Sequence, residues 1–523
     1  MLTKLLAAFV GAIFVLANPY PARAVILEPA LTCYSVFDDI WSDGNTDIEQ
    51  REIDGSALKT PADFKRTNGQ RRTGFSIIKG GDFSGWDFFG MPLERTCFVE
   101  VNLADTDFSK VDTTGIGFIK SDLTGANMRG AKLAGVLFRD AKLENVDARG
   151  ADFSDGHFDG GWFEGNVAGW NLDGANMRGF TFACGITLPD GCPVYSGGAP
   201  ISARGTDFTG ATLHSFGLYN IITDGAKLDQ TIVGPGQLPQ LRTADIGGDL
   251  ILRGGDSDVR ITPVEVRTLL EEYASQEVIA SNPSFDCSAA RSKVEEEICG
   301  ESAKDLRLLD RQIAVSYKRA KVADPKVTAS QQAWLRARNQ CNAEEYAADC
   351  IRESYALRKG QLLGQLGESD WLAAGEEALF VSDVLPLPHE FSKTPLFAKI
   401  TPALVGASMT EILVSRREDG LYSIKGSSVG ANAHTCTLGA DILYLDKATG
   451  WYSIVTEGPA VPVFQIIDDR LTVFENGKAD YAKYPEASNY ASCGARASFP
   501  ETMRINIDEQ TLERYRKALN EEM

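Results

Sequence analysis

The chain has 523 residues, enough for three or four folded units at about 150 residues each, with 43% hydrophobic and 24% charged residues. That balance excludes bulk disorder, and 50 Gly against 21 Pro without a three-residue period excludes a collagen-like chain. With 52 Lys and Arg against 72 Asp and Glu the formal charge is −20, so a phosphate backbone is repelled, no nucleic acid is expected as partner, and cationic proteins are attracted.

Residues 1–24 read as a signal peptide: Lys4, an apolar run from Leu5 to Ala17, and Ala22-Arg23-Ala24 as a small-x-small cleavage site. The mature chain is then expected to begin at Val25 as a periplasmic or secreted protein, and losing Lys4 and Arg23 takes its charge from −20 to −22. The apolar run is too short to cross about 30 Å of hydrocarbon. No Cys follows the cleavage point, and no later segment approaches about 18 consecutive apolar residues, so no membrane span is expected.

Ten Cys remain: Cys33, Cys97, Cys184, Cys192, Cys287, Cys299, Cys341, Cys350, Cys436 and Cys493. An even count in an oxidising compartment favours disulfides, although sequence leaves connectivity open. Proximity pairs Cys184 with Cys192, Cys287 with Cys299, Cys341 with Cys350 and Cys436 with Cys493, which leaves Cys33 for Cys97. Zinc is the weaker reading, because no Cys-x-x-Cys occurs and the four His are scattered. No metal or other cofactor is expected.

Residues 25–75 are expected to form an N-terminal segment and cap. Beyond them a large apolar residue recurs every fifth position, through Phe83, Phe88, Leu93, Phe98, Leu103 and Phe108 to Leu123, Met128, Leu133, Phe138 and Phe153. Neither the helical nor the strand period gives this spacing. One residue is lost near Trp170, the pattern resumes at Leu172 and Met177, and after an interruption it returns at Phe208, Leu213 and Leu228. Two residues before each centre stand small or β-branched residues such as Ala126, Ala131, Val136 and Ala151. Over residues 76–235 the chain resembles the pentapeptide-repeat family, which implies a right-handed quadrilateral β-helix with four repeats per coil. Stacked coils would align the apolar residues into an interior ladder, with strand-like spacing of about 4.8 Å between coils. The interruption at 183–205, with Cys184 and Cys192, reads as a disulfide-clipped insertion. Some bacterial members of that family mimic DNA and inhibit topoisomerases, a role that export argues against.

Thr262-Pro263-Val264-Glu265 is a strong helix start, and a helix to about Ala280 within residues 236–280 is expected to close the open end of the solenoid. From Pro283 the order Cys287, Val294, Cys299, Leu309-Asp310, Tyr317, Trp334, Cys341, Cys350 and Tyr355 resembles the lysozyme-inhibitor LprI-like family over residues 281–366. That resemblance implies a small disulfide-linked all-α domain, and Leu306, Leu309, Ile313 and Tyr317 recur at helical spacing. Glu295, Glu296 and Glu297 are the candidate contacts for a basic protein, although an acidic run on a helix is more often a solvated face. The segment holds 14 basic and 12 acidic residues, so charge attraction has to come from elsewhere.

Residues 370–523 lose the helical period and show short runs rich in Val, Ile, Tyr and Phe, which predict a small antiparallel β domain, barrel or sandwich, with 14 basic and 22 acidic residues. Gly426-Ser427-Ser428-Val429-Gly430 matches a nucleophile elbow in letters only, lacking the strand, turn, helix context, and reads as a turn. The fold class is therefore multidomain: β-helix, then helical domain, then β domain. The function expected is a non-enzymatic envelope protein that binds or inhibits a cationic lysozyme, or else a structural or adhesion scaffold for protein contacts.

Overall fold

The structure is a computed structural model that describes residue 33 and residues 50–521, apart from 70–73, 160–166, 184–199, 215–220, 301–302, 344–346, 367–370, 431–433, 456–459, 468, 475–483, 485 and 495–496. The signal-like segment and the Cys184 to Cys192 insertion lie outside the described residues.

Strand β1 (Gln50–Asp54) starts a parallel ladder continued by β2 (Phe75–Lys79), β3 (Thr96–Val99), β4 (Gly117–Ile119), β5 (Leu137–Arg139), β6 (His157–Asp159) and β7 (Thr181–Ala183). The other three sides of each coil are tied by single backbone bridges, such as Asp82 to Asn102, Asp87 to Asp107 and Asp112 to Lys132. The five-residue period is thus one side of a four-sided coil. The residue after each bridge turns inward, and Phe88, Phe98, Phe108, Phe118, Phe138 and Phe153 are fully buried. Their rings stack coil upon coil, Phe88 on Phe108 at 4.7 Å and Phe118 on Phe138 at 5.5 Å between centroids. Ala126, Ala131 and Val136 are buried between them.

Each corner needs one residue with left-handed backbone. Gly130 (φ 65°) and Gly150 (φ 66°) supply it where nothing crowds an added Cβ, so glycine is favoured there by conformation alone. Lys120 and Asp140 occupy equivalent corners at φ 50° and bear the strain of an L side chain.

Near Trp170 the sequence suggests a lost residue, but the coil is longer, not shorter: Asp147 bridges to Asn171 instead of to residue 167. The added chain brings the buried Trp170 ring against Phe138 and Phe153. The next coil bridges Asn171 to Ser202, and Ala203 resumes the inward register one side before Phe208. Short strands β8 (Ile201–Ser202), β9 (Ile221–Ile222) and β10 (Ile232–Val233) complete the ascent.

A stacked core is open at both ends unless something covers it. At the first coil, α1 (Pro61–Asn68) begins with a Thr60–Asp63 capping box and lays Phe64 across the axis, within 6.2 Å of Phe83, Phe88 and Phe98. The Cys33–Cys97 disulfide pins the chain over an outward apolar patch of Phe75, Ile77, Ile119 and Leu137. At the last coil, β10 pairs with β11 (Leu250–Gly254), which turns back into β12 (Ser257–Ile261) and α2 (Pro263–Ser281). Helix α2 contributes Val266 and Leu269, but it does not close the end alone.

The helical segment comprises α3 (Lys293–Cys299), α4 (Lys304–Ala323), α5 (Val327–Arg338) and α6 (Ala347–Leu366). The C-terminal strands β13 (Glu377–Ser382), β14 (Thr410–Arg416), β15 (Tyr422–Val429), β16 (Thr435–Asp446), β17 (Trp451–Ile454), β18 (Val461–Ile467), β19 (Arg470–Val473) and β21 (Thr502–Ile505) pair antiparallel. Pairing of β15 with β16 closes them into a barrel, and β20 (Ala491–Cys493) adds to β16. Between β13 and β14 lies α7 (Pro395–Ala407), and α8 (Glu509–Glu521) ends the chain. Helix α7 is the second lid of the solenoid: Phe397, Ile400, Ala403 and Leu404 join the solenoid core, as do Leu379, Val381, Met503 and Ile505 of the barrel. Gly254 and Gly406 allow this approach, since a Cβ on Gly254 would stand 1.8 Å from the Ala403 carbonyl. The solenoid core therefore runs past residue 280 into the C-terminal segment.

These features predict a graded response to substitution. Phe138→Ala is expected to cost about 3–5 kcal/mol, Gly130→Ala about 1–2 kcal/mol, and exposed Lys142→Ala under about 0.5 kcal/mol. Thermal melting followed by circular dichroism checks the order, and equal tolerance of all three contradicts the assigned register.

Candidate functional site

The outer faces of the solenoid carry its polar chemistry. Asp or Asn often precedes an inward residue, where its side chain accepts the backbone N–H two residues on, as in Asp82 from Ser84, Asp107 from Ser109 and Asp152 from Ser154. The same carboxylates then accept from the next coil: Asn102 Nδ2 donates to Asp82 at 3.0 Å, Lys132 Nζ to Asp112 at 3.0 Å and Lys142 Nζ to Asp122 at 3.3 Å. Arg178 reaches Asp207 and Arg204 reaches Asp224, each at 3.3 Å. Such bonds hold the carboxyls of Asp82, Asp107, Asp122, Asp147 and Asp207 below the ordinary range. The Arg149 guanidinium is the largest cause at Asp147, and at Asp122 the burial that would raise the carboxyl is outweighed by Thr124 and Lys142. The acidic faces are consequently charged but internally stitched.

In the helical segment the Cys287–Cys299 and Cys341–Cys350 disulfides hold the ends of short loops, and Cys436–Cys493 joins β16 to β20. With Cys33–Cys97 these are the pairs that proximity predicts. Among the described residues no free cysteine and no metal-ligating cluster of His, Cys, Asp and Glu occurs.

Asp310 is the polar centre of the helical segment. Its Oδ2 accepts from Ser284 N–H at 2.7 Å, and its Oδ1 accepts from the Tyr355 hydroxyl at 2.6 Å. Arg338 Nη1 donates to the same hydroxyl oxygen at 2.8 Å and packs against the faces of Trp334 and Tyr355. Burial pushes the Tyr355 hydroxyl upward, so it stays a donor. All three polar residues are buried, which makes this a lock between α4, α5 and α6.

The three candidate glutamates separate. Glu295 closes a capping box with Ser292 and accepts from the backbone N–H of Arg291 at 2.8 Å, which holds its carboxyl low. Its carboxylate is committed to the helix cap. Glu296 and Glu297 are exposed. Gly426 to Val429 lie within β15 rather than in a turn, and the buried Ser428 hydroxyl pairs with Thr410 at 2.7 Å, so no nucleophile stands there.

Sequence reasoning passed over Phe89. It is 58% exposed at a position where neighbouring sides carry Ser84, Ser109 and Thr124, and Lys110 Nζ lies 5.4 Å from its ring centroid. It borders a groove of about 410 Å³ lined by Met91, Pro92, Glu94 and Asp112. Its apolar type at an outward repeat position is the signal that was available.

Residues 121–160 match the family described as pentapeptide repeats, in eight copies. This segment is a pentapeptide-repeat solenoid. Among solved structures, a trypsin-treated form of the plasmid-mediated fluoroquinolone resistance protein QnrB1 is 18% identical, covering 35% of this chain and 76% of that one at a TM-score of 0.17. A pentapeptide repeat protein of the cyanobacterium Cyanothece 51142 is 20% identical over 28% of this chain and 84% of its own, at 0.14. One from the Arabidopsis thaliana thylakoid lumen is 26% identical over 32% and 77%, at 0.12. Similarity of this extent says nothing of what this chain binds. The chain matches no curated protein.

The stitched carboxylates predict an acid limb. A carboxyl whose folded value lies below its unfolded one contributes stability that is present above the ordinary value of 3.8 and lost as pH falls through the folded value. Asp147→Asn is therefore expected to melt with a shallower dependence on pH below about 4 than the parent protein, measured by calorimetry across pH 2–7. An unchanged acid limb contradicts the assignment.

Proposed function

We propose that this protein is an exported, non-enzymatic envelope protein whose pentapeptide-repeat scaffold, wound right-handed, presents binding surfaces to a cationic protein partner, with lysozyme as the first candidate. The repeat supports the scaffold half of this reading, since a rigid ladder with both ends closed holds its faces in fixed relation. The electrostatics support the partner half. Residues 76–235 and 370–523 each hold eight more acidic than basic residues, and hydrogen bonds and cations hold the Asp82, Asp107, Asp122, Asp147 and Asp207 carboxyls low. The single observation that carries the reading is this ionised acidic ladder on a rigid surface. The four disulfides among the described residues support an oxidising compartment. The LprI-like resemblance of residues 281–366 is what singles out lysozyme among cationic proteins.

The alternative is a structural or adhesion scaffold without inhibitory activity, favoured by the commitment of Glu295 to a helix cap. Cell-wall lysis by lysozyme, with the full mature protein added across a salt series, separates the two. Protection that weakens as salt shortens the screening length below about 8–10 Å is expected. No protection and no complex at any salt discards the lysozyme reading and leaves the scaffold.

A further inference from the structure

Helix α4 has two apolar faces. Leu306, Ile313 and Ala320 turn into the helical core and are buried with Tyr355 and Leu362. A second stripe, Leu308, Val315 and Val322, recurs every seventh residue and is 40%, 48% and 85% exposed. Spacing of seven keeps these side chains on one face over about 21 Å of helix, the arrangement by which a helix receives another helix. A surface helix needs only its inner stripe for folding, so the outer one is unexplained by the fold.

The charges that α4 itself carries beside the stripe are mostly basic, while Glu390 lies near Arg319 and Asp324 follows the end of the helix. The helix carries six basic and two acidic residues. Asp305 is bound by Arg352 at 2.5 Å, and Asp310 is buried under Ser284 and Tyr355. Lys318, Arg319 and Lys321 are exposed, and Arg311 lies half-buried between Leu308 and Val315. Near the far side, Arg307 donates to the Gly300 carbonyl.

We propose that this face docks an amphipathic helix with acidic flanks, contributed by a partner protein. Charge selects that occupant over a second copy of the chain. An antiparallel copy centred on Val315 sets Arg311 against Arg319, and a parallel copy sets Lys318 against Lys318. A lipid surface is a poorer fit, because the stripe holds three aliphatic side chains and none of the aromatic residues that anchor interfacial helices. The surface is distinct from the acidic ladder and does not depend on lysozyme binding.

The test uses the full mature protein and two synthetic amphipathic peptides of about three heptads, with identical Leu stripes flanked by Glu in one and by Lys in the other. Fluorescence anisotropy is expected to show saturable binding of the Glu peptide alone. Val315→Asp should weaken it about ten-fold, and Lys318→Glu with Lys321→Glu should shift preference to the Lys peptide. Circular dichroism checks that helix content is unchanged, since all three positions are exposed. Equal binding of both peptides, or no saturable binding of the Glu peptide, overturns the proposal. So does binding of phosphatidylglycerol vesicles with no binding of peptide. Sedimentation that shows a dimer dissolved by Val315→Asp assigns the face to a second copy and overturns it equally.

Discussion

A five-residue side of chain cannot bury its own apolar residue. Phe88, Phe98, Phe118 and Phe138 leave water only because another coil lies above and below each of them, at the spacing set by backbone hydrogen bonds between coils. Burial is then continuous along the axis, and the end coils are where the arrangement fails unless they are covered. Phe64 covers one end, and the other is covered by elements that begin well over a hundred residues apart in the chain, α2 and α7. The barrel is accordingly more than an appended unit. Its strands β13 and β21 and the helix between β13 and β14 form part of the solenoid core.

The same ladder orders the surface. Backbone bridges twenty residues apart bring side chains into columns, and a column of aspartates would repel itself. The columns are instead interleaved with Asn, Lys and Arg donors, and Asp82, Asp107 and Asp152 are also satisfied within their own turns. What is presented outward is a net acidic lattice whose charges are fixed in place. The helical segment has the opposite local character on α4, where Asp305 is paired with Arg352 and Asp310 is buried, while Lys318, Arg319 and Lys321 are exposed. One chain thus carries an acidic lattice on its solenoid and a basic face on α4.

Much of this was legible in the sequence, for stated physical reasons. The five-residue period fixes the solenoid, because each side is a local unit whose inward residue follows from chain position alone. The cysteine pairs are legible because partners are either close in sequence or left over. The barrel strands at 412–415, 421–424 and 435–444 show β-rich runs of the right length. Strand β13 and strand β21 do not stand out, since one is buried on two sides and the other is four residues long and closely follows Pro500. The helix-like run of Pro395 to Ala407 carries no sign of what it covers.

Tertiary structure alone decided where the solenoid core ends. The sequence determined that apolar residues of each coil must stack and that the stack needs lids. It did not determine which lids, because sealing is a long-range contact between surfaces, and nothing local in Phe397 or Ile400 differs from any buried helix. It likewise determined that Glu295 is acidic and near a helix start, while its commitment to the backbone of Arg291 and Ser292 required the cap to be seen closed. Periodicity encodes what a residue does within its own coil; only the folded chain decides which distant surface completes it.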